Sequence, residues 1–267
     1  MEMEQSNDKP HGSGSFIGHV IPAAFFFAYG AFILGLILKR SRSLPPGVTY
    51  CEMHVPERNA TLLWRMGIVL VVLTLCGVVV EAIGGILAGL GVAHQLGHES
   101  FYFCYTFVGL VLVLESFGKL PPDSGRKALC LAFFLQYLGW TEHGLMKSDM
   151  ADQRIHLLQA QISLCTTLAV GYSVYNPKSI EAFVLSFAFF ILVATWLFTA
   201  GCNAEFVNIS RHLVGPYLSL QVLAIALVIT ICAAFFSGSQ LEQNAQSAGK
   251  YSIVDAEDEP LRENDLM

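Results

Sequence analysis

The chain has 267 residues, of which 54% are hydrophobic and only 13% charged. Soluble domains carry about 25% charged residues, so this composition excludes both an ordinary cytosolic globule and a disordered chain. A formal net charge of −6 leaves no basic surface for nucleic acid.

Seven apolar runs are long enough to cross a bilayer: Phe16–Leu38, Trp64–Leu90, Phe101–Phe117, Ala128–Met146, Ile155–Tyr175, Ala182–Ala200 and Leu213–Phe236. A helix needs about 20 residues to cross ~30 Å of hydrocarbon. None of the runs alternates with a period of two, which argues against a β-barrel. The expected fold is an all-α membrane protein, a seven-transmembrane-helix bundle over residues 16–236, flanked by a short tail (1–15) and a polar, acidic tail (237–267).

The first run holds Pro22 one turn in, where a helix tolerates it. That run is too long for a signal-peptide core and the segment before it is not basic, so it reads as a retained anchor. In the second, Gly84, Gly85, Ala88 and Gly89 permit close packing or a kink. The third run is the shortest and carries Glu115, expected in solvent as an i, i+4 partner of Lys119. Glu181 is expected to be solvated likewise. Pro45-Pro46-Gly47, Pro121-Pro122-Asp123 and Asn176-Pro177 mark loops between runs.

Seven spans put the termini on opposite sides. Lys39, Arg40, Arg42, Arg58, Arg65, Lys119, Arg126, Lys127 and Lys178 lie in or beside the first, third and fifth loops; only Lys9, Lys147, Arg154 and Arg211 fall on the other side. Nine against four predicts an exoplasmic (lumenal or extracellular) N-terminus and a cytosolic C-terminus. The tail beyond Ser237 is polar and acidic, a composition that predicts disorder. Five cysteines lie within spans, and Cys51 and Cys202 fall on opposite sides, so no disulfide is expected. Of the sequons, Asn59-Ala-Thr61 is expected to be cytosolic and unmodified, and Asn208-Ile-Ser210 lumenal, close to the membrane.

Ionisable side chains within a membrane are expensive and mark functional sites by default. Placed by depth, they gather toward the exoplasmic surface. His19 lies one turn inside the first helix, His98 and Glu99 open the third, Glu142 and His143 close the fourth, and Asp152 and His156 open the fifth. Glu205 lies in the loop before the seventh helix, which His212 opens; Glu81 sits deeper in the second. Asp152 and His156, four residues apart, share a helix face. His94 and His98 have the same spacing, but Gly91 and Gly97 argue against a continuous helix there. His94 and His212 read as interfacial. His19, His98, His143, Asp152 and His156 are the candidate metal ligands, with Glu81 and Glu142 as supporting partners. Imidazole with carboxylate suits zinc or another divalent transition metal, and equally a proton relay. The structural alternative is a hydrogen-bonded network tying the fourth and fifth helices together.

In the tail, Tyr251-Ser-Ile-Val254 has the Tyr-x-x-apolar form that clathrin adaptors read as an extended peptide, an endosomal or lysosomal sorting signal. The basic Lys39-Arg-Ser-Arg42 would attract anionic lipid, so membrane lipids are expected partners, and nothing excludes a homo-oligomer.

Gly14-Ser-Phe-Ile-Gly-His19-Val-Ile-Pro22-Ala-Ala-Phe-Phe-Phe27 resembles the opening Gly-His-x-x-Pro-Gly-x-Phe-Phe segment of the transmembrane protein 45 family (domain of unknown function 716). The similarity continues at His98-Glu-Ser-Phe-Tyr-Phe-Cys-Tyr-Thr-Phe-Val-Gly109, Ala132-Phe-Phe134 with His143, Asp152-Gln-Arg-Ile-His156-Leu-Leu158, Glu181 and Thr195-Trp196. It covers nearly all of residues 14–236. The departures are Ala23 for the family's glycine, Gln136 for its glutamate and Glu115 for its aspartate. The resemblance implies a seven-helix integral membrane protein of the Golgi, endosome and lysosome or of the plasma membrane, with one family member linked to innate immunity. It brings no established activity. The family's shared histidines and carboxylate map onto His19, His98, His143, Asp152 and His156.

Two function classes follow. In the first, a non-enzymatic endomembrane protein binds a metal ion, a proton or a lipid headgroup in its polar layer. In the second, an intramembrane hydrolase holds zinc and activates a water for attack on a lipid amide or ester. The known seven-helix zinc lipid hydrolases carry a late His-x-x-x-His pair, whereas the pair here, His94 and His98, is early. Rhodopsin-like coupling is disfavoured by the lack of Asp-Arg-Tyr and Asn-Pro-x-x-Tyr, and a channel by the apolar cytosolic halves of the helices. The first class is the expectation.

Overall fold

The computed structural model describes residues 16–42, 60–87, 92–177, 179–207 and 209–232. Among these residues the chain forms seven helices and no β-strand: α1 (Phe16–Arg42), α2 (Ala60–Leu87), α3 (Val92–Ser116), α4 (Ser124–Leu145), α5 (Met150–Tyr175), α6 (Ile180–Glu205) and α7 (Val214–Cys232). All but α4 are long and apolar enough to cross a membrane, so this is an integral, multipass membrane protein. Both tails, and with them Tyr251 and Val254, lie outside the described residues, as do Asn59 and Asn208 of the sequons.

The helix ends follow local chemistry. Asp149 caps α5 by accepting from the N–H groups of Ala151 (3.0 Å) and Asp152 (2.7 Å), and Ser179 caps α6 by accepting from Ala182 N–H (3.2 Å). At the end of α3, Gly118 turns left-handed (φ 67°), Lys119 N–H bonds Leu114 C=O at 3.0 Å, and Gly118 N–H bonds Glu115 C=O at 2.9 Å. This is a Schellman turn, and glycine meets no Cβ penalty there. It sends the chain straight back into α4.

That reversal corrects the expected surroundings of Glu115. Its carboxylate is not a solvated partner of Lys119. Oε1 accepts from Asp123 N–H (2.6 Å) and Oε2 from Gly125 N–H (2.7 Å), so Glu115 caps the start of the next helix. Asp123, the residue that should cap α4, has a left-handed backbone and makes no side-chain cap of its own. A carboxylate at this end of α4 also meets the positive end of the helix dipole. α3 holds a second correction. It begins at Val92 and runs unbroken through Gly97, so His94 and His98 do share one helix.

Close helix packing runs in the order α2, α3, α4, α5, α6, α1, while α7 is tied to α6 by Gln221 Nε2 donating to Thr199 Oγ1 at 2.6 Å. α6 is central, with 56% of its spanning segment buried against 6% for α7, where Leu220, Val222, Leu223, Leu227 and Val228 face outward as lipid-facing residues do. The α2–α3 seam is closed by small residues. The buried stripe of α2, Leu63, Gly67, Leu70, Thr74 and Gly77, repeats every three or four residues. A Cβ added at Gly67 would lie 2.7 Å from Gly109 C=O, and one at Gly109 would lie 2.8 Å from Gly67 C=O, so the two backbones touch. Beside them Thr74 Oγ1 and Thr106 Oγ1 hydrogen bond at 2.7 Å. Of the small residues expected to permit close packing or a kink, Gly84 has open space around it, Gly85 is buried, and Ala88 and Gly89 lie outside the described residues.

α4 explains why sequence hydropathy treats it differently. Its buried positions Arg126, Leu129, Phe133, Gln136 and Trp140 form an inward stripe, while Leu131, Phe134, Leu135 and Leu138 face out. Within the span Arg126 and Gln136 point inward among apolar neighbours while the outward face is apolar, unlike a soluble amphipathic helix, whose outward face is polar.

Candidate functional site

At the end of the bundle where α1, α3 and α5 begin, side chains from three helices converge. α1 brings His19, buried against α6, where Gly201 leaves room for it: a Cβ there would lie 3.1 Å from His19 Cβ. The last two turns of α4 bring Trp140 and His143, three residues apart on one face. α5 brings Asp152 and His156 in its first two turns. The His156 ring centroid lies 5.0 Å from that of His143, 5.8 Å from that of His19 and 5.5 Å from that of Trp140. Phe101 of α3 stacks on Trp140 at 4.5 Å, with 14° between the rings.

Asp152 organises this group without facing into it. Its Oδ2 pairs with Lys147 Nζ at 3.3 Å and its Oδ1 lies 3.1 Å from His156 Nδ1. The same Nδ1 is 2.8 Å from the Asp152 carbonyl oxygen. With two oxygens around Nδ1, the ring proton belongs there, and Nε2 is left as a lone-pair acceptor turned inward. That Nε2 is fully buried and has no hydrogen-bond partner among the described residues. The i, i+4 face read from the sequence is therefore formed, and it positions an imidazole.

The other expected site residues fall as follows. His98 lies on α3 one turn before Phe101, but its side chain is outside the described residues. Glu142 is exposed on α4, and Glu81 is half-buried on α2. Exposed His212 lies just before α7. Among the described residues no group of three or more His, Cys, Asp or Glu is arranged to hold a metal ion.

Next to the histidines, a cavity of about 400 Å³ opens between α1, α2, α3, α4 and, through Leu197, α6. His19, Thr74, Tyr102, Tyr105, Gln136 and Trp140 supply its polar atoms, and apolar side chains of the same helices supply the rest. Of these lining residues, Gln136, Trp140 and Tyr105 each hold a buried atom (Oε1, Nε1 and the phenol OH) that lacks a hydrogen-bond partner among the described residues. A buried polar group left unpaired costs about 1–3 kcal/mol, so each of these three is an expensive placement. Two of its lining residues, Phe26 and Tyr105, belong to an aromatic floor shared with Phe133. Phe26, Tyr105 and Phe133 pack edge-on or tilted with centroids 5.2–5.8 Å apart, and Phe190 lies 5.4 Å beyond Phe133.

No protein-family model matches this chain, and no curated protein matches it. Its chemistry must be read from its own geometry.

A second polar group, at the opposite end of the bundle, was not expected as a unit. Arg126, buried in α4, donates from Nη1 to Ser173 C=O of α5 at 2.9 Å, pairs with Asp123 through Nη2, and lies 5.7 Å over the Phe183 ring of α6. Sequence reading treated Arg126 only as a loop charge. Together with the Glu115 cap it locks α3, α4, α5 and α6 to one another. A void of about 30 Å³ runs from this lock to the aromatic floor, room for roughly one water. Trp140 and Tyr105 were also missed as site residues. For Trp140 a signal existed, since Trp140 and His143 sit i, i+3 beside the polar Thr-Glu pair.

Proposed function

We propose that this chain is a non-enzymatic, seven-span endomembrane protein that holds a membrane-borne amphiphile with its polar end at the His19–Trp140–His156 layer. One observation carries the reading: Gln136, Trp140 and Tyr105 line a cavity among the helices, and each has a buried hydrogen-bonding atom without a partner among the described residues. The inward polar stripe of α4 supports counting it as a seventh span, because its outward face is apolar. The loop charges support an exoplasmic N-terminus and cytosolic C-terminus, which puts the layer in the exoplasmic leaflet. The similarity to the transmembrane protein 45 family and the tail's Tyr251–Val254 motif support residence in Golgi, endosome or lysosome with clathrin-adaptor sorting.

The second reading is an intramembrane zinc-dependent lipid hydrolase. In its favour, Asp152 orients His156 as outer carboxylates orient zinc-binding imidazoles, and His143 lies alongside. Against it, both Asp152 oxygens are already engaged by Lys147 and His156.

The test is lipid and metal analysis of protein extracted with its native membrane, comparing the wild type with Gln136→Leu/Trp140→Ala and with His143→Ala/His156→Ala. The proposal expects about one lipid per protein, lost in the first variant, and no stoichiometric metal. Zinc that disappears with the two histidines, with lipid turnover lost in parallel, establishes the hydrolase. Neither lipid nor metal reduces the layer to a tie between α4 and α5.

A further inference from the structure

We propose that Arg154 and Arg211 bind the phosphate of a membrane phospholipid, and that this lipid fastens α7 to the bundle. The site lies outside the cavity, whose lining includes neither arginine, and it does not rest on the proposed function.

α7 is the helix with least protein around it. Only 6% of its spanning segment is buried, and the Gln221–Thr199 hydrogen bond that ties it to α6 lies about two turns into the helix. At its head the contact is made by two arginines. Arg154, in the second turn of α5, donates from Nη1 to Arg211 C=O at 3.3 Å. A Cβ added at Gly215, in the first turn of α7, would lie 3.4 Å from Arg154 Nη2. Arg211, just before α7, reaches back over α5, with its Nη1 3.4 Å from Met150 Sδ. Met150 and Arg154 are i, i+4, so both guanidiniums hang over one face of α5, about a turn apart.

Charge and geometry select the partner. Both arginines are exposed, and neither makes an ion pair among the described residues. The acids nearest Arg154 in the chain are committed elsewhere. Asp149 accepts from the N–H groups of Ala151 and Asp152, and Asp152 pairs with Lys147 and His156. Arg211 directs a charged donor at a thioether, which is a weak acceptor. Two like charges held together without a counter-ion repel, and an anion between them turns that repulsion into attraction. A carboxylate is planar and fills one guanidinium fork. A tetrahedral phosphate aims separate oxygens at two forks, which is what this pair requires. Position supplies the source. The ends of two spanning helices meet here, at the level of a leaflet's phosphates. Beyond Arg211, the residues Leu213, Tyr217, Leu220, Leu227 and Ile231 run down α7 as an exposed apolar stripe at helical spacing. An acyl chain spans about 15 Å of one leaflet and covers about ten residues of that stripe.

The test uses the full-length protein in phosphatidylcholine nanodiscs doped with phosphatidylglycerol, whose phosphate has no ammonium beside it. Native mass spectrometry reads the phosphatidylglycerol kept on release. Arg154→Gln/Arg211→Gln should lower that retention at least about tenfold. Arg154→Lys/Arg211→Lys keeps the charge but loses both forks, and should stay well below wild type. Lys127→Gln, an exposed charge at the opposite end of the bundle, should change nothing. Gln136→Leu/Trp140→Ala should also retain the lipid, so failure here and failure of the cavity reading are distinguishable. Phosphatidylglycerol should raise the thermal unfolding midpoint of the wild type and leave that of the double glutamine variant unmoved. Equal retention by wild type and the glutamine pair overturns the site, and equal retention by the lysine pair shows that charge alone suffices and overturns the forked phosphate contact. Oleate competing as well as phosphatidylglycerol overturns the choice of phosphate. Inorganic phosphate that displaces the lipid and raises the midpoint equally makes this a free-phosphate site and overturns the lipid. An unmoved wild-type midpoint overturns the fastening of α7.

Discussion

Replacing Gly67 by alanine tests the α2–α3 seam, and the structure supplies both the cost and the control. An added Cβ would sit 2.7 Å from Gly109 C=O and 3.0 Å from Val113 N, both backbone atoms that cannot rotate away. The helices must therefore part. Overpacking of this kind costs about 1–3 kcal/mol. Parting also stretches the 2.7 Å Thr74–Thr106 hydrogen bond, worth about 0.6 kcal/mol between membrane helices. Alanine's better helix propensity returns up to about 1 kcal/mol. Gly84→Ala in the same helix has the same propensity gain and open space around the new methyl, so subtracting the two isolates the seam. The expected difference is about 1.5–3.5 kcal/mol, read as a lower unfolding midpoint for Gly67→Ala in an SDS titration followed by circular dichroism. The converse substitution, Gly109→Ala, should match Gly67→Ala because the contact is reciprocal. Equal midpoints for Gly67→Ala and Gly84→Ala, within about 0.5 kcal/mol, would show that the helices do not approach this closely.

Three further outcomes follow from named contacts. Asp152→Asn keeps the side chain's shape but loses the Lys147 ion pair and half of the hold on His156, and should lower stability by about 1–2 kcal/mol, with Asp152→Ala lower still; equal midpoints for wild type and both variants would remove Asp152 as the organiser of the layer. Glu115→Gln retains one oxygen acceptor and Glu115→Ala none, so losses of about 1 and 2 kcal/mol are expected for the α4 cap; an alanine variant as stable as wild type refutes the cap. For topology, a glycosylation sequon engineered into residues 1–15 should be modified in mammalian cells while Asn59 stays bare, and the reverse pattern would invert the assignment of sides and put the histidine layer on the cytosolic face.

The number and rough extent of the helices were legible in the chain itself, because each apolar run is long enough to satisfy its own backbone within the membrane and nothing else in the sequence is. So was the common level of His19, His143, Asp152 and His156 at one end of the bundle, since position within a run converts directly to height along a helix. The i, i+4 pairing of Asp152 with His156 was legible for the same reason. Which way a helix turns each face is a different matter. In lipid, apolar residues gain nothing by facing inward, so the outward leucines of α4 carried no hint that Gln136 and Trp140 share a wall with Tyr105. Glu115 looked solvated because its partner is the backbone of another helix, and backbone N–H groups leave no mark in a sequence. Arg126 was counted as a loop charge because a guanidinium can be buried only where carbonyls, a carboxylate and an aromatic face converge, and that convergence belongs to α4, α5 and α6 together. The cluster Gly84, Gly85, Ala88 and Gly89 left close packing and a kink both open and named no partner helix, and the backbones of α2 and α3 meet at Gly67 and Gly109, for contact depends on where two helices cross rather than on where small residues are densest. Height was written in one dimension; facing, and with it the cavity, required the helices to be assembled around one another.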